Sequence, residues 1–577
     1  MMNIFDNQFW KQFLAIAKPY WFPVKEEGRT VQESFWSWSM VAMLLALLLV
    51  INGIGAFNSY LVANLIDLLE LHDVSNYTKQ LIIYALLLGL LAPILALNNY
   101  IKRTLAIDWY KWLTNHVLDK YFRDRAYYHI NFEPSIENPD QRISQEIEPI
   151  PRTIINISFT LIDKFIEIVI FTSILWSISR WVAVLLVIYA IVGNGIALFF
   201  GQELIRIKSE QVDTLADYRY SLTHVRDNAE SVAFYQGEIQ ESRIVRQKFT
   251  NVIQDDERVN GWQRNKELFT NGYQFLILLI PFIALAPLYF MDTIELGEII
   301  QASTAASVIS SALGVVVGEL GSGGRVANLI NRLATFSDVL EAVTRQQQLA
   351  SRIETVEEDR IALDRLTLQT PNSERVLVQD LSVSVETGTG LLIVGSSGRG
   401  KSSLLRAIAG LWQAGIGHII RPNLEEILFL PQRPYMILGT LREQMLYPNR
   451  NRQLTDEELE QVLQQVNLQD LLTRVGGFDA EKYWENILSL GEQQRLAFAR
   501  VLVTRPHYII LDEATSALDL ENEENVYRQL QQTGSTYISV GHRQSLLQYH
   551  DTVLEFSGNA SWQVVPAQDY RSNYGWE

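Results

Sequence analysis

The chain has no cysteine among its 577 residues. That excludes disulfide staples, thiolate metal sites and a cysteine nucleophile, and it fits a reducing compartment. Positive charge is also scarce: 48 Lys and Arg stand against 65 Asp and Glu, a net charge of −17. Such a balance argues against a surface built to neutralise a phosphate backbone, so no nucleic-acid partner is expected. No internal repeat and no low-complexity tract is visible. A cleavable signal peptide is not visible either, because Lys11, Lys18, Lys25, Glu26 and Glu27 precede the first long apolar run. Long apolar runs are confined to roughly the first 320 residues, and the remainder reads as a soluble α/β domain. A chain of this length needs two or more cores.

A helix that crosses a bilayer needs about 20 mostly apolar residues. Six stretches are candidates: Trp36–Phe57, Leu81–Leu97 with Pro93, Leu161–Ile178, Trp181–Phe200, Tyr273–Phe290 with Pro281 and Pro287, and Ile299–Glu319. The last is rich in Ser, Ala and Gly, a composition that suits close helix packing or a pathway lining. Acidic residues (Asp67, Glu70, Asp73; Asp292, Glu295, Glu298) lie between spans one and two and between spans five and six. Basic residues follow spans two, four and six: Lys102 and Arg103, Arg206 and Lys208, Arg325 and Arg332. This asymmetry places the N-terminus, two long loops and the C-terminal domain on the cytoplasmic side, with Arg180 as an exception. Phe9–Lys18, with Tyr20 and Trp21, reads as an interfacial amphipathic helix. Segments 103–155 and 202–268 are charged and helix-patterned, continuing the spans below the bilayer, and turn back near Asn138–Arg142 and Asn228–Gly237. The expected division is a membrane domain at 1–342, a polar linker at 343–362 and a second domain at 363–577.

In that second domain Gly395-Ser-Ser-Gly-Arg-Gly-Lys401-Ser402 follows the apolar run Leu391–Val394 and opens a helical pattern. This is a phosphate-binding loop in its strand–helix setting. The backbone N–H groups of Gly395, Ser396, Ser397, Gly398, Arg399, Gly400 and Ser403 can cradle a triphosphate at a helix N-terminus. Lys401 would reach the β- and γ-phosphates, and Ser402 would ligate Mg²⁺. His507–Asp512 is an apolar strand ending in an acid, with Glu513 next. Asp512 can hold Mg²⁺ through water, and Glu513 can polarise an attacking water. Leu488-Ser-Leu-Gly-Glu492 opens a helix, where Ser489 and Gly491 could form an anion site and Ser489 with Glu492 also spells a capping box. Gln432 and His542 each follow a strand, where a phosphate site at the strand ends needs polar groups.

Taken in order, these motifs resemble an ABC transporter nucleotide-binding domain over residues 363–557. The resemblance implies that Gln432 is the Q-loop glutamine and a Mg²⁺ contact beside Ser402 and Asp512. It makes Ser489, Gly491 and Glu492 the signature, Glu513 the catalytic glutamate, Ser516–Asp519 the D-loop with Asp519 near nucleotide, and His542 the switch histidine. The membrane half resembles the subfamily D transporters and the SbmA/BacA proteins, through Trp109–Thr114, Tyr127-Tyr128, Asn138–Ile143, Tyr218–Tyr220 and above all Arg226–Tyr235 with Gly237-Glu238. Leu430–Met436, Gly439–Gln444 and Tyr447-Pro448 fit the same group. Two departures stand out. Thr370-Pro371 offers no aromatic residue to stack on adenine, so another group would have to hold the base. Leu490 and Glu492 replace a Gly and a Gln of the usual signature.

The resemblance implies an exporter-like fold with six transmembrane helices plus an α/β P-loop ATPase, using ATP and Mg²⁺. With one nucleotide domain and six spans, it implies a half-transporter that pairs with a second copy and works by alternating access, coupled through the turns at Asn138–Arg142 and Asn228–Gly237. Cargo is less legible. Asp163, Lys164 and Glu167 sit at the start of the third span and suit either a wet cavity or the headgroup level. Trp176 and Trp181 read as an interfacial belt. The resemblance points to a hydrophilic small-molecule cargo, cobalamin first, with peptides or acyl-CoA as alternatives; a non-transporting regulator on the same scaffold is disfavoured by Glu513. A bacterial inner membrane is the expected location, with an organellar membrane as the alternative.

Overall fold

The computed structural model describes residues 7–22, 29–132, 136, 138–349, 353–370, 375–448 and 452–573, with side chains left aside at 320–325, 343–349 and 571–573. Lys25, Glu26, Glu27 and Pro371, and the side chain of Arg325, lie outside what is described. The chain divides into two units, Met1–Thr344 and Arg345–Glu577.

The first unit is helical. Its helices are α1 (Asn7–Trp21), α2 (Val31–Glu70), α3 (Val74–Phe122), α4 (Pro149–Ile178), α5 (Arg180–Asp227), α6 (Ala229–Tyr235), α7 (Glu238–Phe290) and α8 (Leu296–Leu349). Thr30 caps α2 through a reciprocal bond pair with Glu33, which fixes where that helix starts. At 1.5 Å per residue, the 48 residues of α5 span about 70 Å, more than twice an apolar bilayer core. Helices of this length carry the chain well past the bilayer, as their charged ends require.

Among the described residues, five helices are long and apolar enough to cross a membrane, by length and composition: α2, α3, α5, α7 and the Leu296–Glu319 part of α8. The third expected span is part of α4 but falls outside that set, because Asp163, Lys164 and Glu167 crowd its apolar window. Those charges are paired within the unit. Lys164 Nζ lies 2.6 Å from Glu167 and 3.3 Å from Asp163, and Asn52 of α2 donates to Asp163 at 2.7 Å.

Helix α1 is docked on protein. Tyr20 is fully buried, stacks on Trp109 at 5.3 Å and donates to Asp108 at 2.7 Å. The Arg29 guanidinium lies 3.6 Å over the Tyr20 ring and 3.2 Å from Asp108. Trp10, Leu14 and Phe22 remain exposed, so the helix keeps an apolar outer face. The turn at Asn138–Arg142 is held from α8: buried Arg142 donates to the Arg332 carbonyl at 3.1 Å, and Arg332 pairs with Glu146 at 2.6 Å. At the other turn, α6 joins α5 to α7 and presents Phe234 and Tyr235 to solvent.

The second unit is α/β. Its strands are β1 (Ile353–Glu357), β2 (Ile361–Gln369), β3 (Val376–Val385), β4 (Gly390–Gly395), β5 (Gly415–Arg421), β6 (Ile427–Leu430), β7 (Gly439–Thr440), β8 (Glu481–Lys482), β9 (Tyr508–Asp512), β10 (Thr536–Val540), β11 (Thr552–Phe556) and β12 (Trp562–Pro566). The stretch expected as a linker therefore holds the end of α8, all of β1 and the start of β2. β1 is an edge strand that buries only Ile353, so its polar sequence gave no strand signal. One sheet has the order β1-β5-β2-β3 and the other β12-β11-β4-β10-β9-β6, parallel except for β12. β4, β9 and β10 are buried on both faces, as strands of a sheet covered on both sides are. Around it pack α9 (Lys401–Ile408), α10 (Leu441–Leu446), α11 (Asp456–Gln465), α12 (Leu490–Thr504) and α13 (Leu520–Gln532).

Candidate active site

The register of the larger sheet brings the site together. Val540 pairs with Asp512, Leu430 with Leu511, and Val540 with Ile393, so four strands end at one edge. Ligands collect at that edge of a parallel sheet. Gly395 leaves β4 with φ 137°, and a Cβ there would lie 2.6 Å from the Phe556 carbonyl oxygen, so glycine is required. The loop 396–400 then turns through Gly398 and Gly400, both at positive φ, into α9.

Lys401 opens α9 and is buried, with Nζ donating to the Gly395 carbonyl at 2.6 Å and the Ser396 carbonyl at 3.2 Å. Burial pulls its pKa below the usual lysine value, against the opposing pull of Glu513 and Asp512. Ser402 donates to Asp512 at 3.1 Å. Burial raises the Asp512 pKa; the Ser402 hydroxyl works against that rise and the neighbouring Glu513 charge adds to it. Glu513 adopts φ 49°, an uncommon conformation for a side chain of its kind and one that collects at functional sites. Gln432 Nε2 donates to Glu513 Oε2 at 2.9 Å, and His542 Nε2 lies 3.2 Å from Glu513 Oε1. Five residues singled out from sequence therefore converge: Ser402, Gln432, Asp512, Glu513 and His542. Carboxylate, hydroxyl and amide oxygens of this set suit a hard cation such as Mg²⁺.

Ser489, Gly491 and Glu492 form a second cluster at the N-terminus of α12. Ser489 Oγ accepts from Glu492 N at 3.3 Å, and the Glu492 carboxylate accepts from Ser489 N at 2.9 Å. Burial would raise the Glu492 pKa, but the Ser489 N–H and the Arg474 guanidinium, 2.7 Å away, hold it below the usual carboxylate range. No hydrogen bond among the described residues joins this cluster to the phosphate loop. Asp519 is a helix cap: its carboxylate accepts from Asn522 N at 2.8 Å and from the Asn522 amide, which lowers its pKa.

Two connecting residues carried no separate signal in the sequence. Gln494, fully buried, donates to the Gln432 carbonyl at 3.0 Å and accepts from Ala517 N at 3.0 Å, tying the Q-loop to the D-loop. Arg543 donates to the carbonyls of Leu518 at 2.8 Å and Ser516 at 3.0 Å. Its place directly after His542 was the one available hint.

A glycine-rich loop opening a helix, facing an Asp-Glu strand end flanked by Gln and His, defines a P-loop ATPase of the ABC type, here fused to a helical membrane unit. Residues 29–290 match the family described as ABC transporter transmembrane region 2, and residues 378–516 match ABC transporter. An ABC transporter ATP-binding protein of Synechocystis sp. is 41% identical over 94% of this chain and 83% of its own length. ABC transporter D family member 2, chloroplastic, of Arabidopsis thaliana is 34% identical over 98% and 89%. The lysosomal cobalamin transporter ABCD4 of Mus musculus is 29% identical over 97% and 96%. The chain belongs to the ABC transporter family and is of the subfamily D type. It is an integral membrane protein that binds ATP and couples ATP hydrolysis to transport.

Proposed function

We propose that the chain is a half-transporter that acts as a homodimer and moves cobalamin, or another bulky hydrophilic compound, across the bacterial inner membrane by alternating access. The working parts are a membrane domain at 1–342, a connection at 343–362 and a cytoplasmic nucleotide domain at 363–577. α4 serves as the third of six spans, with Lys164 paired to both Glu167 and Asp163 and Asn52 donating a hydrogen bond to Asp163.

The phosphate loop Gly395–Ser403 wraps the triphosphate with backbone N–H groups, and Lys401 exchanges its two carbonyl partners for phosphate oxygens. Ser402, Asp512 and Gln432 would hold Mg²⁺, which supplies charge neutralisation on the phosphates. Glu513 orients the attacking water, and Gln432 and His542 fix its two carboxylate oxygens. The Ser489 hydroxyl and the Gly491 N–H face the γ-phosphate held by the partner copy, with Glu492 orienting Ser489 through their reciprocal bonds, which accounts for a separate cluster within one chain; Asp519 caps α13. α6 and the Asn138–Arg142 turn transmit closure to the membrane helices.

The observation that carries the cargo reading is the match, along nearly all of both chains, to a relative named as a cobalamin transporter. The test is ATP-dependent movement of labelled cobalamin in oriented proteoliposomes, with Glu513→Gln as the blank. Movement lost in the variant is the expected result, and the side that accumulates label gives the direction. A protein that hydrolyses ATP but moves no cobalamin refutes that cargo.

A further inference from the structure

A cavity of about 210 Å³ lies inside the membrane unit between α2, α4 and α8. Its walls include Gly55, Asn58, Ser59, Phe171, Gln301 and Thr304. Ser59 and Gln301 are 6% and 5% exposed. Three polar atoms of this wall, Asn58 Oδ1, Ser59 Oγ and Gln301 Nε2, are buried without a hydrogen-bond partner among the described residues. Thr304 is different, since its hydroxyl bonds the Ile300 carbonyl at 2.9 Å. A lone unpaired polar atom is ordinary. Three around one cavity are costly unless something in the cavity, water or a ligand group, pairs with them.

The chemistry of the wall selects the occupant. Gln301 Nε2 donates, Asn58 Oδ1 accepts and the Ser59 hydroxyl can do either. No Asp, Glu, Lys, Arg or His lines the cavity. An ion would lose its hydration without gaining a counter-charge, so charged groups are disfavoured. A group that both donates and accepts, with an apolar edge to lie against Phe171, fits: a carboxamide. The cavity continues a polar path. Asn52, Gly55 and Ser59 recur at helical spacing on α2, and Asp163, Glu167 and Phe171 recur at i, i+4, i+8 on α4. The lower part of that path is closed by its own pairs, Lys164 with Glu167 and Asn52 with Asp163. The part beside Gly55 leaves hydrogen-bonding capacity open among the described residues, and a Cβ at Gly55 would meet no atom within 4 Å. Eight residues separate Ser59 from Asp67, whose carboxylate accepts from Gly297 N at 2.7 Å, so the cavity sits about 12 Å inside the acidic end of α2.

We propose that this cavity is a binding subsite for an uncharged carboxamide group of the transported molecule. The assignment rests on the transport reading and adds the chemical class that one membrane site accepts.

The first test needs no cargo. Full-length protein in lipid nanodiscs is mixed with trifluoroacetamide or trifluoroacetate, and binding is read from fluorine NMR line broadening against protein-free nanodiscs. Wild type is expected to broaden the amide and leave the carboxylate sharp. Gln301→Leu, which keeps the bulk and removes the polar atoms, and Gly55→Leu, which fills the space and touches no polar atom, should each weaken amide binding about tenfold, the loss of roughly one well-made hydrogen-bonded contact. Should Gly55→Leu fail to insert, Gly55→Ala adds a single methyl group in open space and is expected to show a smaller loss in the same direction. Equal broadening by amide and carboxylate, or unchanged amide binding in both variants, overturns the subsite. So does a Gln301→Leu protein that is more heat-stable with unchanged amide binding, because the cavity is then a packing defect. The second test measures the KM for labelled cobalamin uptake. A rise in both variants supports the subsite, and an unchanged KM in both overturns it. If wild type moves no cobalamin while amide binding is lost in the variants, the cargo is refuted and the subsite stands.

Discussion

In the nucleotide unit Glu523 is 1% exposed, and it accepts hydrogen bonds from Thr515, Ser545 and Arg543. In the membrane unit Gln301 is 5% exposed, and its Nε2 has no partner among the described residues. Both are polar side chains taken out of water, yet one is saturated by protein and the other faces a cavity. The nucleotide unit works on a ligand whose reacting part is always a triphosphate, so its polar groups are fixed in place before binding. The membrane unit must accept and release a cargo, and saturating every polar group with protein would leave nothing to bind it.

The largest expected break in this comparison is at the catalytic cluster. Glu513→Gln keeps the size of the side chain and its hydrogen-bonding reach to Gln432 and His542. ATPase turnover should fall about 10²–10⁴-fold with ATP binding retained, measured by phosphate release and equilibrium nucleotide binding. Turnover at the wild-type rate would mean the cluster orders the strand end and does no chemistry. Next is Arg543→Ala, which removes the cation from buried Glu523 and leaves Thr515 and Ser545 alone. The nucleotide unit should lose about 3 kcal/mol, read by denaturant unfolding, and Arg543→Lys should recover part of it. A loss below the error of the titration would show that the hydroxyls suffice.

Acid should act on the same unit through His550. Its ring is enclosed by Tyr527 and Tyr537, and its Nδ1 lies 2.7 Å from the Leu546 carbonyl. Burial depresses its pKa to about 4, against the smaller opposing effects of the Leu546 carbonyl and Asp551. The folded value lies below the unfolded one, so the unfolded chain binds more protons between them. Stability is therefore fully present above about pH 6.5 and declines as pH falls toward 4, by on the order of 3 kcal/mol from this residue. His550→Phe should flatten that slope without changing stability much at pH 8. An identical slope in the variant would assign the acid sensitivity to the carboxylates.

The same contrast explains how much could be read from the sequence. Gly395–Ser402, Asp512 and Glu513 were legible because triphosphate chemistry calls for those residue types at strand ends, Gln432 and His542 were named through the family resemblance, and the fold brings five of the named side chains together. Gln494 and Arg543 were not, because a buried amide and a loop arginine look like any surface residue until the loops they join are placed. In the membrane unit apolar runs marked the helices but not their partners. The charges that take Leu161–Ile178 out of the composition set are paired in space by Lys164 and Asn52, which no one-dimensional reading shows. Tyr20 and Trp21 read as interfacial for the same reason, since their contacts with Trp109 and Asp108 come from 88 residues along the chain.

The smallest expected effect sharpens the comparison inside the membrane unit. Not every gap there is open to a ligand. Gly193 on α5 lies against the Tyr273 ring of α7, and a Cβ would fall 1.9 Å from a ring carbon. The ring cannot swing away freely: it stacks on Tyr189 at 4.9 Å, and its hydroxyl lies 3.3 Å from the Ala190 carbonyl and accepts from Ser310 at 3.0 Å. Gly193→Ala should therefore cost about 2 kcal/mol through forced repacking of α5 against α7, seen as a lower thermal midpoint of the membrane unit in detergent. Gly53, with nothing within 4 Å of its would-be Cβ, is the matched control. Gly53→Ala should be neutral or raise the midpoint, because alanine is the better helix former by about 1 kcal/mol. Equal effects at the two positions would mean that α5 and α7 are no more tightly fitted than the exposed side of α2. The division between a packed helix pair and an open polar cavity would then fail.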